Sequence, residues 1–420
     1  MTLDAFRKQY AELAQAGLSE RQAYRWLDGG LKSLPYPHAQ ATLERLFGEP
    51  VARLFGPPYG TGVVLPGRRF DADAAQRGHA RDDWQGQVIA MSAERARDFL
   101  SRAEATNVGA ETLDQLADDV RRLTVAYQQE PLERLLGDMG DTQDRAFGLL
   151  EGRQRPEQTR DLYLLAGVAS GLMAKASHDL GAPHDAMTQA RAAYTCADNA
   201  GHDGLRAWTR GLQSLIAYWS GRLDDSVRYA LRGSDAATRS QNSAGVWLAA
   251  SEARVYAALG QVDESNAAIE RATEAREHVR PDELDDLGGL CTFKRPKQLY
   301  YAADSLAWGG REEAEHTELL AIEALDAYDH APVEDRSFSD EAGTRCALAV
   351  SRLVRGEVEG AVDAVTPVLE LPPAQRIHGI IVSVGRVQGQ LASIESGGRT
   401  ANDLAEAAFS FTSQPLALRR

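Results

Sequence analysis

The chain has 420 residues and a formal charge of −15, from 46 basic and 61 acidic side chains. A hydrophobic fraction of 43% beside 25% charged residues supplies packed cores and excludes a mostly disordered chain. The apolar-looking runs 162–173 and 377–384 fall well short of the roughly 20 residues that span a bilayer, and the acidity excludes a chain-wide nucleic-acid surface.

At roughly 100–200 residues per domain, the length fits two or three domains, or one domain and a repeat array. Cys196, Cys291 and Cys346 are widely spaced and form no metal or disulfide pattern, so three buried thiols in a reducing compartment are expected. No N-terminal stretch pairs a basic start with an apolar core, which predicts a cytoplasmic chain.

Residues 1–56 hold seven basic and six acidic side chains, so this head carries +1 and the remainder −16. Leu3, Phe6, Tyr10, Leu13 and Ala14 recur at mostly three- and four-residue steps and predict a first helix ending at Gly17. Ser19 can cap a second helix, with Gln22 three positions on as in a capping box. Ala23, Trp26 and Leu27 line one side of that helix, over 20–27, and Arg21, Gln22 and Arg25 lie around the other. Gly29-Gly30 stops it, and a third helix at about 38–47 offers Ala39, Leu43, Leu46 and Phe47 for burial.

This pattern fits either a helix-turn-helix or a plain three-helix cap. In the former, the first turns of the second helix meet base edges of double-stranded DNA while nearby cations contact phosphate. Ser19, Arg21, Gln22 and Arg25 would read, and Leu18, Ala23, Trp26 and Leu27 would form the core. Because +1 supplies few phosphate contacts, a homodimer that doubles them is expected.

The stretches Ala11-Glu12-Leu13-Ala14 and Gly17-Leu18-Ser19-Glu20-Arg21-Gln22-Ala23-Tyr24-Arg25-Trp26-Leu27-Asp28-Gly29-Gly30 resemble the helix-turn-helix of Cro/C1-type regulators. They are most similar to the short form that precedes helical-repeat domains in actinobacterial regulators. Pro35, Leu46-Phe47-Gly48 and Leu54-Phe55-Gly56-Pro57-Pro58 resemble the same group. The resemblance implies that Ser19 opens a recognition helix, that Arg21, Gln22 and Arg25 read, and that Trp26 is buried. It departs upstream, where one helix stands in place of two, so a degenerate head retained for packing is the alternative.

Residues 57–91 are turn-rich, with scattered glycines and the pair Arg68-Arg69, and read as a linker. A helical connecting region follows over 92–155, with amphipathic helices at 113–127 and 131–136. From 156 to 415 a spaced pattern emerges: Gly181, Gly221, Gly260, Gly309 and Gly356 each end one candidate helix and precede another. Seven positions before them stand Ala174, Ser214, Ala253, Ala302 and Ala349; five after stand Ala186, Ser226, Ser265, Ala314 and Ala361. Small residues flanking a turn glycine let paired helices cross closely, as in a helical-hairpin solenoid. The gaps of 40, 39, 49 and 47 residues exceed the roughly 34-residue standard unit. The pattern resembles tetratricopeptide repeats, most clearly at 258–264 and 219–225. The implied fold is all-α: a short N-terminal helix-turn-helix domain followed by a tetratricopeptide-like α-solenoid with capping helices.

Aromatic residues crowd the middle units. Trp208, Arg210, Tyr218, Trp219, Trp247, Tyr256, Tyr301 and Trp308 could line a groove for a peptide, a small-molecule effector or a protein partner, or could simply space the repeats. Arg206, Arg228, Arg254 and Lys297 would supply charge nearby. The polar segment 280–298 is expected as a surface loop, either a lid or a plain insertion, and 329–340 as a second break. A last pair near 378–396 and 401–411 should cap the array, with Phe409 and Phe411 available to a second subunit.

No His-Glu-x-x-His, nucleophile elbow, dinucleotide loop or Walker loop occurs, so neither an enzyme nor a cofactor is expected. His178 and His184 are six apart, too far for the usual metal face of a helix, so no metal site is expected. The sequence reads as a DNA-binding transcriptional regulator controlled through its repeats, with no membrane partner. The alternative is an interaction scaffold or peptide-sensing receptor bearing a degenerate head.

Overall fold

A computed structural model describes residues 3–14, 17–27, 37–47, 49, 54–55, 92, 106–394 and 398–416. Every regular element among these residues is helical, and none of the helices is long and apolar enough to cross a membrane. The chain divides into two compact units, Met1–Ile89 and Ala90–Arg420. The expected linker at 57–91 lies outside the described residues.

The first unit holds α1 (Leu3–Ala14), α2 (Glu20–Leu27) and α3 (Pro37–Phe47). Phe6, Tyr10 and Ala14, four residues apart, bury one face of α1 against Leu18, Ala23, Trp26 and Leu43. The Tyr10 and Trp26 rings meet edge to face at 5.5 Å. Leu13, expected on the buried face, lies one position off that row and is 42% exposed. The chain between α1 and α2 is held by Arg7, whose Nε donates to the Leu18 carbonyl at 3.0 Å.

The second unit opens with α4 (Ala110–Ala126) and α5 (Leu132–Leu150), the latter well beyond the short helix expected at 131–136. Six helical hairpins follow. They pair α6 (Pro156–Asp179) with α7 (Pro183–Ala200), α8 (Asp203–Trp219) with α9 (Leu223–Ser240), and α10 (Ser243–Ala258) with α11 (Val262–Glu277). Next come α12 (Arg295–Leu306) with α13 (Ala314–Asp329), α14 (Phe338–Arg355) with α15 (Val358–Leu369), and α16 (His378–Ala392) with α17 (Gly398–Thr412). Successive first helices stack on one another, the arrangement of an α-solenoid.

Four of the five expected turn glycines, Gly181, Gly221, Gly260 and Gly356, take left-handed φ of +70° to +85°. The residue after each donates its N–H to a carbonyl five positions back, as Ala182 does to Ser177 at 2.8 Å and Arg222 to Ala217 at 2.9 Å. This satisfies a carbonyl that the helix end leaves free. In the fourth hairpin the turn glycine is Gly310, not Gly309: a 3-10 turn over Ala307–Gly309 overwinds the end of α12 and moves the register by one. Ala303 rather than Ala302 is therefore fully buried.

The small flanks meet. Ser214 and Ser226 Oγ lie 2.9 Å apart, and Ser226 donates to the Ser214 carbonyl at 2.8 Å. Ser265 donates to the Ala253 carbonyl at 2.9 Å. Between hairpins, the Trp208 ring lies where a side chain on Gly171 would stand, and Trp247 does the same at Gly211. These indoles are spacers whose seats exist only because the facing position lacks a Cβ.

The segment after α11 is not a surface loop. Leu284, Leu287, Leu290, Cys291 and Phe293 are buried in the core that α4 and α5 share with the first three hairpins. Its polarity is satisfied locally: Asp282 accepts from Leu284 N at 3.0 Å, and Asp285 accepts from Ser243 N at 3.1 Å at the start of α10. The break at 329–340 likewise buries Ser337 and Asp340. Phe411 belongs to the core of the last hairpins, which removes it from any subunit surface, whereas Phe409 is 67% exposed. All three cysteines are free and buried.

Gly289 has φ of +51°, and a Cβ there would overlap the Thr124 carbonyl of α4. Gly181 is equally left-handed, but open space surrounds it. Gly181→Ala should therefore cost about 1–2 kcal/mol, the left-handed penalty alone. Gly289→Ala should cost roughly 3 kcal/mol or more, since backbone must move as well. Urea denaturation midpoints of the two variants check the order.

Candidate functional site

The second unit closes on itself. α16 packs against α6, and His378 Nε2 lies 3.3 Å from the Trp219 carbonyl. Gln129 Nε2 donates to the Val333 carbonyl at 2.5 Å, and Phe338 N to the Gln128 carbonyl at 3.4 Å. The first helix of every hairpin consequently faces a common lumen, walled by α6, α8, α10, α12, α14 and α16 and by the end of α4. About 800 Å³ there is free of protein atoms, solvent at the mouth included; only about 60 Å³ is open to the centre of a water molecule. The lumen is a narrow slot.

Its apolar wall comes from Leu215, Trp219, Leu290, Phe338, Ile377 and Ile380. Its charges sit on first helices other than α8. On α6, Lys175 Nζ lies 2.6 Å from Asp179 Oδ1, and Tyr127 OH donates to Asp179 Oδ2 at 2.7 Å. Burial and the adjacent Asp179 carboxylate hold the Tyr127 phenol well above its ordinary range, so it stays a donor. Lys297 of α12 lies 3.4 Å from Asp340 Oδ2 of α14. Arg254 of α10 stacks on the Tyr301 ring at 3.5 Å, and its Nε lies 2.9 Å from Asp304 Oδ2. The N–H is not aimed at that oxygen, so this is an ion pair without a hydrogen bond. Arg386 of α16 makes the well-directed contact to Asp304, Nη1 to Oδ1 at 2.6 Å. His178, buried beside Asp179 and edge-on to the His378 ring at 5.6 Å, is pushed down to about 3, chiefly by burial.

The eight aromatic and basic residues expected as one groove do not form one. Trp219 and Tyr301 line the lumen beside Arg254, and Tyr218 lies behind them. Trp208 and Trp247 are core, their indole N–H groups donating to the Leu290 carbonyl and the Tyr301 hydroxyl, each at 3.1 Å. Arg210 stacks on Tyr194 at 3.7 Å, away from the lumen. Tyr256 belongs to a separate open trough with Arg228, Leu231, Arg232 and Leu259. Trp308 is 44% exposed, with the Arg386 guanidinium 4.4 Å from its ring.

Lys175, His178, Asp179, Asp340 and Ile380 were missed as lining residues. The signal lay in the repeat register. Counting six back from the turn glycines Gly181, Gly221, Gly260 and Gly310 reaches Lys175, Leu215, Arg254 and Asp304. Three of these line the lumen and the fourth pairs with Arg254. Among the described residues no group of His, Cys, Asp and Glu could hold a metal ion.

In the first unit, Ser19 is exposed and its Oγ accepts from Gln22 N at 3.3 Å, at the start of α2. Gln22 and Tyr24 are exposed; Leu18, Ala23 and Trp26 are buried. The side chains of Arg21, Arg25 and Leu27 lie outside the described residues. No protein-family model matches the chain, and no curated protein matches it.

The lowered pKa of His178 has a consequence for stability. The unfolded chain takes up this proton near pH 6.5, whereas the folded chain refuses it until about pH 3. The stabilisation is complete above pH 6.5 and is lost progressively as pH falls through that window. Between pH 7.5 and 5.5 this histidine alone should remove on the order of 1 kcal/mol. Urea titrations of the wild type and His178→Gln at the two pH values should differ by that amount in their pH dependence.

Proposed function

We propose that the protein is a sequence-specific DNA-binding transcriptional regulator, with α2 as the reading helix and the hairpin unit as its sensor. The observation that carries this reading is the division of α2. It buries Ala23 and Trp26, while capped Ser19 and exposed Gln22 occupy its start, where a recognition helix meets base edges. The charge division agrees: the body carries −16 and is repelled by a duplex, leaving the +1 head to approach. Homodimerisation would double its phosphate contacts and pair two heads on a two-fold site. The lumen supplies the effector site, since a peptide or small molecule held among six first helices would bind unequally to two arrangements of them.

A second reading, an interaction scaffold with a vestigial head, rests on the trough beside Tyr256. Leu231 and Leu259 are exposed there without apolar cover.

Fluorescence anisotropy with fragments of the source genome tests the first reading. Salt-sensitive binding to a two-fold site is expected. Gln22→Ala and Arg21→Ala should each weaken it by about 1–3 kcal/mol and relax specificity at one base. Absence of salt-sensitive binding to any fragment, with or without lysate-derived effectors, would overturn it in favour of the scaffold.

A further inference from the structure

The charges around the lumen balance except at one place. Lys175 is matched by Asp179 and Lys297 by Asp340. Arg254 and Arg386, by contrast, share the single carboxylate of Asp304, at 2.9 and 2.6 Å. Arg254 and Asp304 are each only 4% exposed at the side chain and Arg386 is 19% exposed, so the cluster holds an excess positive charge largely away from water. Glu130 also lines the lumen, but it is exposed, and water screens it from the buried cluster.

Buried charge of this kind normally has a partner. Aromatic rings supply part of one. The guanidinium carbon of Arg254 lies 3.5 Å from the Tyr301 ring centre and 5.0 to 5.6 Å from those of Tyr300, Tyr218 and Trp219. Rings interact with the faces of a guanidinium; its N–H groups point outward in its plane and need acceptors there. Nη2 of Arg254 has none. Asp340 Oδ2, another lining carboxylate, has no hydrogen-bond donor even with Lys297 nearby.

Resting on the reading of the hairpin unit as a sensor, we propose that the lumen takes an apolar residue with a free α-carboxylate, either an amino acid or the last residue of a peptide. Its carboxylate supplies the in-plane acceptor and the single negative charge that Arg254 lacks. A phosphate, at about −1.5 to −2, would overcompensate. Its α-nitrogen, one bond from the carbon that bears the carboxylate, offers the donor that Asp340 lacks, which a simple fatty or aromatic acid does not. Its side chain lies along Leu215, Phe338, Ile377 and Ile380, and the narrow slot admits one residue more readily than an extended chain.

Calorimetry of the full chain without DNA tests this, using free L-amino acids and Leu-Leu-X tripeptides with every C-terminal residue X, each as acid and as amide. Saturable binding of at least one acid is expected, weakened about tenfold or more by amidation and by Arg254→Met. Arg254→Met leaves Asp304 paired with Arg386 and is checked by circular dichroism. If it fails to fold, the acid–amide contrast on the unaltered protein decides alone. Binding by free amino acids assigns the site to them, and binding by tripeptides alone assigns it to a peptide end. Equal binding of acid and amide, or no saturable binding by any probe up to millimolar concentration, overturns the proposal. Neither result depends on DNA, so the sensor chemistry and the regulator reading fail separately.

Discussion

Burial of the segment between α11 and α12 is the constraint on which the second unit depends. Leu284, Leu287, Leu290 and Phe293 fill the space that stacked hairpins would otherwise leave open on their inner side. The segment joins α4 to the middle hairpins, through Thr124 Oγ1 to the Leu287 carbonyl and Trp208 Nε1 to the Leu290 carbonyl. It also reduces a wide concave face to a slot, because Leu290 reaches the lumen while Phe293 stacks on Trp247. Asp282 and Asp285, half-buried, accept hydrogen bonds from backbone N–H groups in place of lost water, and Glu283 and Asp286 remain exposed.

Close stacking of the first helices sets the lumen's chemistry. Small residues at the turns and glycines opposite Trp208 and Trp247 let neighbouring helices approach, so side chains from successive hairpins are brought within ion-pair distance. Arg254, Asp304 and Arg386 come from the third, fourth and sixth hairpins and meet only because the array closes. Apolar packing therefore supports the assembly, and the charges are costly to bury.

The two compact units divide the physical tasks. The small one has enough core, around Trp26, to hold α2 with a capped and exposed start. The large one carries all the net negative charge and the charged lumen.

Periodicity and glycine spacing alone determined the helical class, four of the five expected hairpin turns, and most of the buried face of α1. These depend on interactions within a few residues: a left-handed turn, a capping hydroxyl, a row at every fourth position. The register error at Gly309-Gly310 arose because a 3-10 turn has no distinctive composition. The aromatic residues were legible as a cluster but not as core or lining, because which face of a first helix points inward depends on its neighbours. The polar segment 280–298 looked exposed by composition, and only the tertiary structure placed its apolar residues in the core while Asp282 and Asp285 stay half-buried and Glu283 and Asp286 exposed. Tertiary structure alone also decided the closure of the array and the two guanidiniums on one carboxylate, since residues 50 to 132 positions apart meet there through packing no local pattern encodes.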